Sequence, residues 1–139
     1  MNNRQEMDEV WDPLRKKYVC LTPEERVRQW CIGMLAQTMK IPMHMMMSEV
    51  GFKLGGKQYR ADILVYDRNA RPLMVVECKR PDVKLDAKVA DQAIRYNMVL
   101  DVTYIMVSNG NSTFLMKKAD GRFAICTSVP TWEQMLEES

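Results

Sequence analysis

A mixed β-sheet flanked by helices, of the α/β (α+β) class, is what this 139-residue sequence predicts. Three observations lead there. Apolar residues recur at helical spacing in two long segments, 22–39 and 85–100. Around them lie short apolar runs bounded by Gly, Pro, Asn and Asp, the signature of strands and turns. The strand after the second helix can then lie parallel to an earlier one through a right-handed crossover.

The first helix, "TPEERVRQWCIGMLAQTM", has Thr22 as N-cap, Pro23 in its first turn and Glu25 closing a T-x-x-E capping box. Val27, Trp30, Cys31, Met34 and Leu35 make its apolar face. A short strand over 48–54 ends at Gly55-Gly56, a hairpin-type turn. Strands over 58–66 and 73–79 follow, joined by "DRNARP", with Pro72 closing the loop. The helix over 85–100 repeats through Leu85, Val89, Ala93, Tyr96 and Leu100. "VTYIMVS" (102–108) is a strand followed by an Asn109-Gly110 turn, and "TFLMKK" and "RFAIC" flank Asp120-Gly121, a hairpin signal. A short helix over 131–138 completes the order α-β-β-β-α-β, hairpin, helix. The length suits a single domain over 1–139, with residues 1–21 as an N-terminal extension.

Composition bounds the function. With 47% hydrophobic and 27% charged residues the chain has ordinary soluble globular character. A net charge of +2 is too small to argue for nucleic acid, so any such case must come from where the charges sit. Four cysteines without a C-x-x-C pair argue against disulfide staples and a zinc site, and suit a reduced cytoplasm. The N-terminus lacks the apolar core of a signal peptide, and no apolar run reaches the ~18 residues of a membrane span. "MHMMM" (43–47), with the lone His44, reads as apolar packing at an element boundary in preference to soft-metal capture.

Two carboxylates break otherwise apolar strands. Asp62 stands inside "YRADILVYD", and Glu77 stands two positions before Lys79 in "VVECKRP". Unpaired, a buried charge costs several kcal/mol. Alternation puts Glu77 and Lys79 on one face with Leu73 and Val75. A hairpin symmetric about its loop sets Tyr66 against Leu73, Val65 against Met74, Leu64 against Val75, Ile63 against Val76 and Asp62 against Glu77. Opposed Cβ atoms lie roughly 4.5–5.5 Å apart, and two carboxylates at that distance repel unless a cation or proton sits between them. A hard divalent ion held by oxygen ligands is one solution. The other is a buried triad in which Lys79 neutralises one carboxylate, leaving a net negative charge inside.

Asp62, a gap of fourteen residues, then Glu77-Cys78-Lys79 resembles the D…(D/E)-x-K signature of PD-(D/E)XK nucleases. Gln92 and Tyr96 resemble the Q-x-x-x-Y motif of the RecB-like branch. More closely, "TPEERVRQ", "RADILVYD", "VVECKRP", "DQAIRY", "VSNG" and "VPTWEQ", over 22–134, resemble the N-terminal domain of type I restriction enzyme R subunits and its small stand-alone relatives. The resemblance implies a restriction-endonuclease-like fold and Mg²⁺-dependent hydrolysis of DNA phosphodiesters, with Mn²⁺ as a substitute. It implies Asp62, Glu77 and Lys79 as catalytic residues. Asp62, Glu77 and the Cys78 backbone carbonyl would be metal ligands, and Glu25 a further candidate. Gln92 and Tyr96 would support the site. Arg80, Lys84, Lys88 and Arg95, which follow it, could neutralise phosphates. DNA and restriction–modification subunits are the implied partners, and no membrane. The chain departs from the R subunits in stopping at 139 and in lacking a G-x-x-x-x-G-K-[ST] loop, so an independent small nuclease and an excised domain are both open. The residue before Asp62 is Ala61, not the proline of the signature, a departure usual in this superfamily. A catalytically silent nucleic-acid-binding or assembly module is the competing function.

Overall fold

The computed structural model describes residues 8–138. The chain runs β1 (Glu9–Asp12), β2 (Lys17–Cys20), α1 (Pro23–Gln37), a 3-10 turn (Met43–Met45), β3 (Met46–Leu54), β4 (Lys57–Tyr66), β5 (Pro72–Cys78), α2 (Ala87–Leu100), β6 (Tyr104–Ser108), β7 (Thr113–Ala119), β8 (Arg122–Ile125) and α3 (Trp132–Glu138). Strands β3 to β8 form one six-stranded sheet in chain order. All neighbours are antiparallel except β5 and β6, which the α2 crossover makes parallel. The predicted mixed sheet and its flanking helices are the fold.

Residues 9–20, for which the sequence predicts no strand, form a separate two-stranded hairpin. Trp11 and Tyr18 face each other across it with ring centroids 5.2 Å apart. A cross-strand aromatic pair can hold strands too short to give a periodic signal.

Both long helices start at side-chain caps. Thr22 Oγ1 accepts the Glu25 N–H at 3.1 Å, and Asp86 accepts the Val89 N–H at 3.1 Å. Only half of the predicted capping box forms, because the Glu25 carboxylate turns to Arg15, Arg28 and Gln29. Charge-assisted bonds to two guanidinium groups outweigh one backbone N–H. At the far end of α2, buried Asn97 accepts the Val102 N–H at 2.8 Å, which seats the helix on the start of β6.

The sheet has a core on each face. Cys31 and Leu35 of α1 and Trp132 and Met135 of α3 pack on Ile63, Val65, Met74, Val76 and Met106. Ala93 of α2 packs with Leu64, Val75, Ile105 and Val107 on the other face. Two expectations need correction. The buried stripe of α1 runs through Val27, Arg28, Cys31, Ile32 and Leu35, leaving Trp30 48% exposed. The helix is turned so that Arg28, not Trp30, enters the interior. In the β4–β5 hairpin the counted register holds from Val65–Met74 to Ile63–Val76, but Tyr66 pairs with Pro72. Leu73 is therefore bulged and joins the α1-side core, not the face of Val75. Pro72 has no N–H for the ladder and tolerates only the first position of the strand.

In the methionine cluster Met46 is buried and Met45 packs on the core, whereas Met43 and Met47 are exposed, so only part of that segment fills the element boundary. All four cysteines are free. Among the described residues no helix is long and apolar enough to cross a membrane.

Candidate active site

The β4–β5 ladder ends at the pair Ile63–Val76. One residue further on, the strands part and a side chain continues the pairing. Asp62 Oδ2 accepts the Cys78 backbone N–H at 2.7 Å, while Oδ1 accepts Arg28 Nη2 from α1 at 2.9 Å. Behind them the chain leaves β5 under restraint. Lys79 N–H donates to the Ser108 carbonyl at 2.8 Å, and buried Asn109 donates to the Val83 carbonyl at 2.8 Å. The loop after β6 thus fixes the segment that carries Lys79.

Lys79 Nζ lies 3.5 Å from Glu77 Oε2. Burial raises the pKa of Glu77; the Asp62 charge adds to this, and the Lys79 ammonium opposes it. The two carboxylates therefore feel one another, as their neighbouring strands imply. Between Glu77 and Lys79, a hydrogen bond with the buried Cys31 thiol and burial itself hold the Cys78 thiol well above its ordinary pKa. Cys78 stays a neutral thiol directed into the core, and only its backbone is left for the site.

Arginines outside the sequence-predicted set enter the site. Arg28 bridges Asp62 and Glu25, with Nη1 2.5 Å from Glu25 Oε1. Arg15, in the β1–β2 turn, reaches Glu25 at 2.7 Å, Glu49 at 2.8 Å and buried Asp12. Arg60 takes the second Glu49 oxygen at 2.7 Å. Burial works against the charge on Arg28, but its hydrogen bond to Asp62 and the charges of Asp62 and Glu25 raise its pKa. Glu25 is held by two guanidinium groups and by Gln29, so it belongs to this cluster and is one arginine removed from Asp62. Helical spacing gave a usable signal for Arg28: it stands four residues before Ile32 and seven before Leu35, on the buried stripe.

These contacts bear on the charge problem. Lys79 answers Glu77 and Arg28 answers Asp62, so neither carboxylate lacks a counter-charge. The cluster as a whole still holds six carboxylates (Asp12, Glu24, Glu25, Glu49, Asp62 and Glu77) against Arg15, Arg28, Arg60 and Lys79. The excess is two negative charges.

A divalent ion fits the donor set. Among the described residues Glu77 has one ion-pair partner, Lys79 at 3.5 Å, and each Asp62 oxygen, with one bond made, retains acceptor capacity. Among the described residues no three His, Cys, Asp or Glu side chains are placed to hold an ion. An ion here would rest on two carboxylates, a backbone carbonyl and non-protein oxygens. That set suits Mg²⁺, which keeps several waters and needs few protein ligands.

The remaining candidates lie further out. Gln92 Nε2 donates to Tyr96 Oη at 2.9 Å, and the Tyr96 ring packs 4.6 Å from Tyr59 and 6.5 Å from Phe52. The pair thus braces α2 against the β3–β4 hairpin, and hydrogen-bonds to none of Asp62, Glu77 or Lys79 among the described residues. Arg80 is paired with Asp82 at 2.9 Å. Lys84, Lys88 and Arg95 are exposed.

Residues 23–130 match the family described as type I restriction enzyme R protein N terminus. No curated protein matches the chain. Two solved structures share its fold. A fragment assigned to the HsdR subunit of a type I restriction enzyme from Vibrio vulnificus YJ016 is 22% identical, with a TM-score of 0.51, over 66% of this chain and 20% of that one. The present chain therefore spans about a fifth of that fragment's length. A protein of the DUF820 group from Anabaena variabilis ATCC 29413, assigned as a nuclease, is 12% identical with a TM-score of 0.50, over 95% of this chain and 91% of that one.

Proposed function

Because the chain belongs to the family of type I restriction enzyme R protein N termini, we propose that it is a Mg²⁺-dependent DNA endonuclease domain that hydrolyses phosphodiester bonds. The observation that supports this reading is that Asp62 and Glu77 stand on neighbouring strands just beyond the last β4–β5 pair, with Lys79 3.5 Å from Glu77. Asp62, Glu77 and the Cys78 carbonyl would hold the ion. When bound, Mg²⁺ supplies Lewis-acid polarisation of the phosphate and a source of nucleophile near neutral pH.

The protein's own groups do the rest. Cys78 N–H and Arg28 fix the Asp62 carboxylate from two sides before any ion arrives, so little reorganisation remains. Lys79, 26% exposed, is the group able to reach a phosphate oxygen or orient the attacking water. Lys84, Lys88 and Arg95 would meet the DNA backbone. DNA and the other subunits of a restriction–modification system are the partners this reading implies, and a reducing cytoplasm is the compartment that suits four free cysteines.

The competing reading is a nucleic-acid-binding or assembly module without chemistry, favoured by the counter-charges that Arg28 and Lys79 already give the two carboxylates. Nicking of supercoiled plasmid by the purified chain separates the two. Mg²⁺-dependent nicks that disappear in Lys79→Ala support the endonuclease; DNA binding without nicks at any Mg²⁺ or Mn²⁺ concentration supports the module.

A further inference from the structure

Four carboxylates surround one guanidinium. Arg28 Nη2 lies 2.9 Å from Asp62 Oδ1 and 3.8 Å from Glu24 Oε1, and Nη1 lies 2.5 Å from Glu25 Oε1 and 3.5 Å from Glu49 Oε1. These acids come from α1, β3 and β4, so three separate elements converge on a single cation. The Arg28 side chain is 8% exposed, and its Nε is buried without a hydrogen-bond partner among the described residues. A buried donor left without an acceptor is unfavourable. The guanidinium is therefore placed where negative charge is densest, at the expense of satisfying its own donors.

The same geometry divides Asp62. Oδ1 faces Arg28, whereas Oδ2 is turned to the Cys78 N–H on β5, the strand that carries Glu77. A dication approaching the Oδ1 side would meet a permanent positive charge in a partly desolvated place, where Coulomb repulsion is strong. A dication approaching from the Glu77 side would meet a carboxylate whose only ion-pair partner among the described residues is Lys79 at 3.5 Å. In two-ion phosphodiesterases the ions stand roughly 3.5–4 Å apart and share a carboxylate. Here Arg28 Nη2 lies 2.9 Å from Asp62 Oδ1, on one side of the carboxylate.

We propose that Arg28 takes the place of a second divalent ion, so that the site accepts a single ion, on the Glu77 side of Asp62. This rests on the metal-dependent reading above. It gives Arg28 a positioning role: it holds Asp62 in one orientation and supplies fixed positive charge that cannot be diluted or chelated away. Lys79 would then be the chain's own cation for the charge that develops on the phosphate, beside an ion held by Asp62 and Glu77.

The test counts ions without using activity. Mn²⁺ is titrated calorimetrically into the full chain, and the loaded protein is examined by electron paramagnetic resonance. Wild type should bind one ion per chain and give the spectrum of an isolated Mn²⁺. Arg28→Lys, which keeps a cation in the cage, should behave as wild type. Arg28→Met, similar in length but neutral, should take up a second ion and show the exchange-coupled spectrum of a close pair. Two ions in the wild type would overturn the inference and leave the metal-dependent reading intact. No ion in the wild type would overturn both. A folded Arg28→Met that still binds one ion with unchanged affinity would overturn the inference alone. If Arg28→Met does not fold, the wild-type count and spectrum decide.

Discussion

The Asp62 carboxylate accepts the Cys78 backbone N–H at 2.7 Å, one residue beyond the last pair of the β4–β5 ladder. A side chain proposed for chemistry is also a rung of the sheet, and its other oxygen neutralises Arg28. Substitution of an active-site acid commonly relieves repulsion and stabilises a fold. Here Asp62→Ala should destabilise, because it removes the acceptor of Arg28 Nη2 and leaves the Cys78 strand N–H without one. Arg28 keeps Glu25 as counter-charge, so the loss should be that of unsatisfied donors, about 1–3 kcal/mol. Urea unfolding of metal-free protein measures this; a gain in stability would refute the structural half of Asp62's role.

Glu77 predicts the opposite sign. Burial first, then the Asp62 charge, raises its pKa, with Lys79 opposing. In the window between the ordinary carboxylate value and the raised one, the native state binds more protons than the unfolded chain. Stability is thus lost as pH rises through that window and is fully present below it. Glu77→Gln removes the titration. In chelator, its stability relative to wild type should increase from about pH 4 upward and then level off. A difference that stays constant with pH would mean that Glu77 is not held in a desolvated place.

Metal affinity and cleavage should separate at neighbouring positions. Lys79→Ala should abolish cutting while retaining most of the Mn²⁺ affinity, because the ammonium is not a ligand. Glu77→Ala should lose both. Calorimetric titrations showing equal Mn²⁺ binding by wild type and Glu77→Ala would remove Glu77 from the ligand set.

Exposed bases should govern the grip on DNA. Lys84 and Lys88 flank the start of α2 and are exposed. Replacing both by glutamate should weaken binding of a short duplex and reduce its salt slope by about 1.8 if both neutralise phosphates, at ~0.9 per contact. Wild-type affinity at every salt concentration would place the DNA on another face.

The fold was legible because its periods are unambiguous. Val89, Ala93 and Leu100 mark one helix, and the alternation through Val75 and Val76 marks a strand buried on both faces. The local hairpin count placed Ile63 opposite Val76, which brings Asp62 and Glu77 to neighbouring strands. It failed at Leu73, where a proline broke the symmetry that the count assumed. What the sequence could not show is the arginine cluster. Arg15 and Glu49, or Arg28 and Asp62, are each 34 residues apart, and nothing local in a salt bridge points to its partner. Burial of Arg28 on the apolar stripe was the one available clue. The β1–β2 hairpin was illegible for another reason: its strands are four residues each, below the length at which alternation stands out.

The lone parallel pairing in the sheet, β5 with β6, divides the chain into two units of local contacts. One is the meander β3–β4–β5 and the other is β6–β7–β8, each closed by short turns. Only the seam Met74–Tyr104 to Cys78–Ser108 requires a long loop to close, with α2 inside it. Closing long loops before their contacts form is what slows folding. The seam should therefore be the kinetic bottleneck: Val76→Ala, within it, should slow refolding in stopped-flow measurements more than Leu115→Ala does for the same loss of stability. Equal slowing would mean that the two meanders do not form as separate kinetic units. By this route the parting of β4 and β5 at Asp62 is shaped within the first meander, while the anchoring of Lys79 by Ser108 waits for the second to dock.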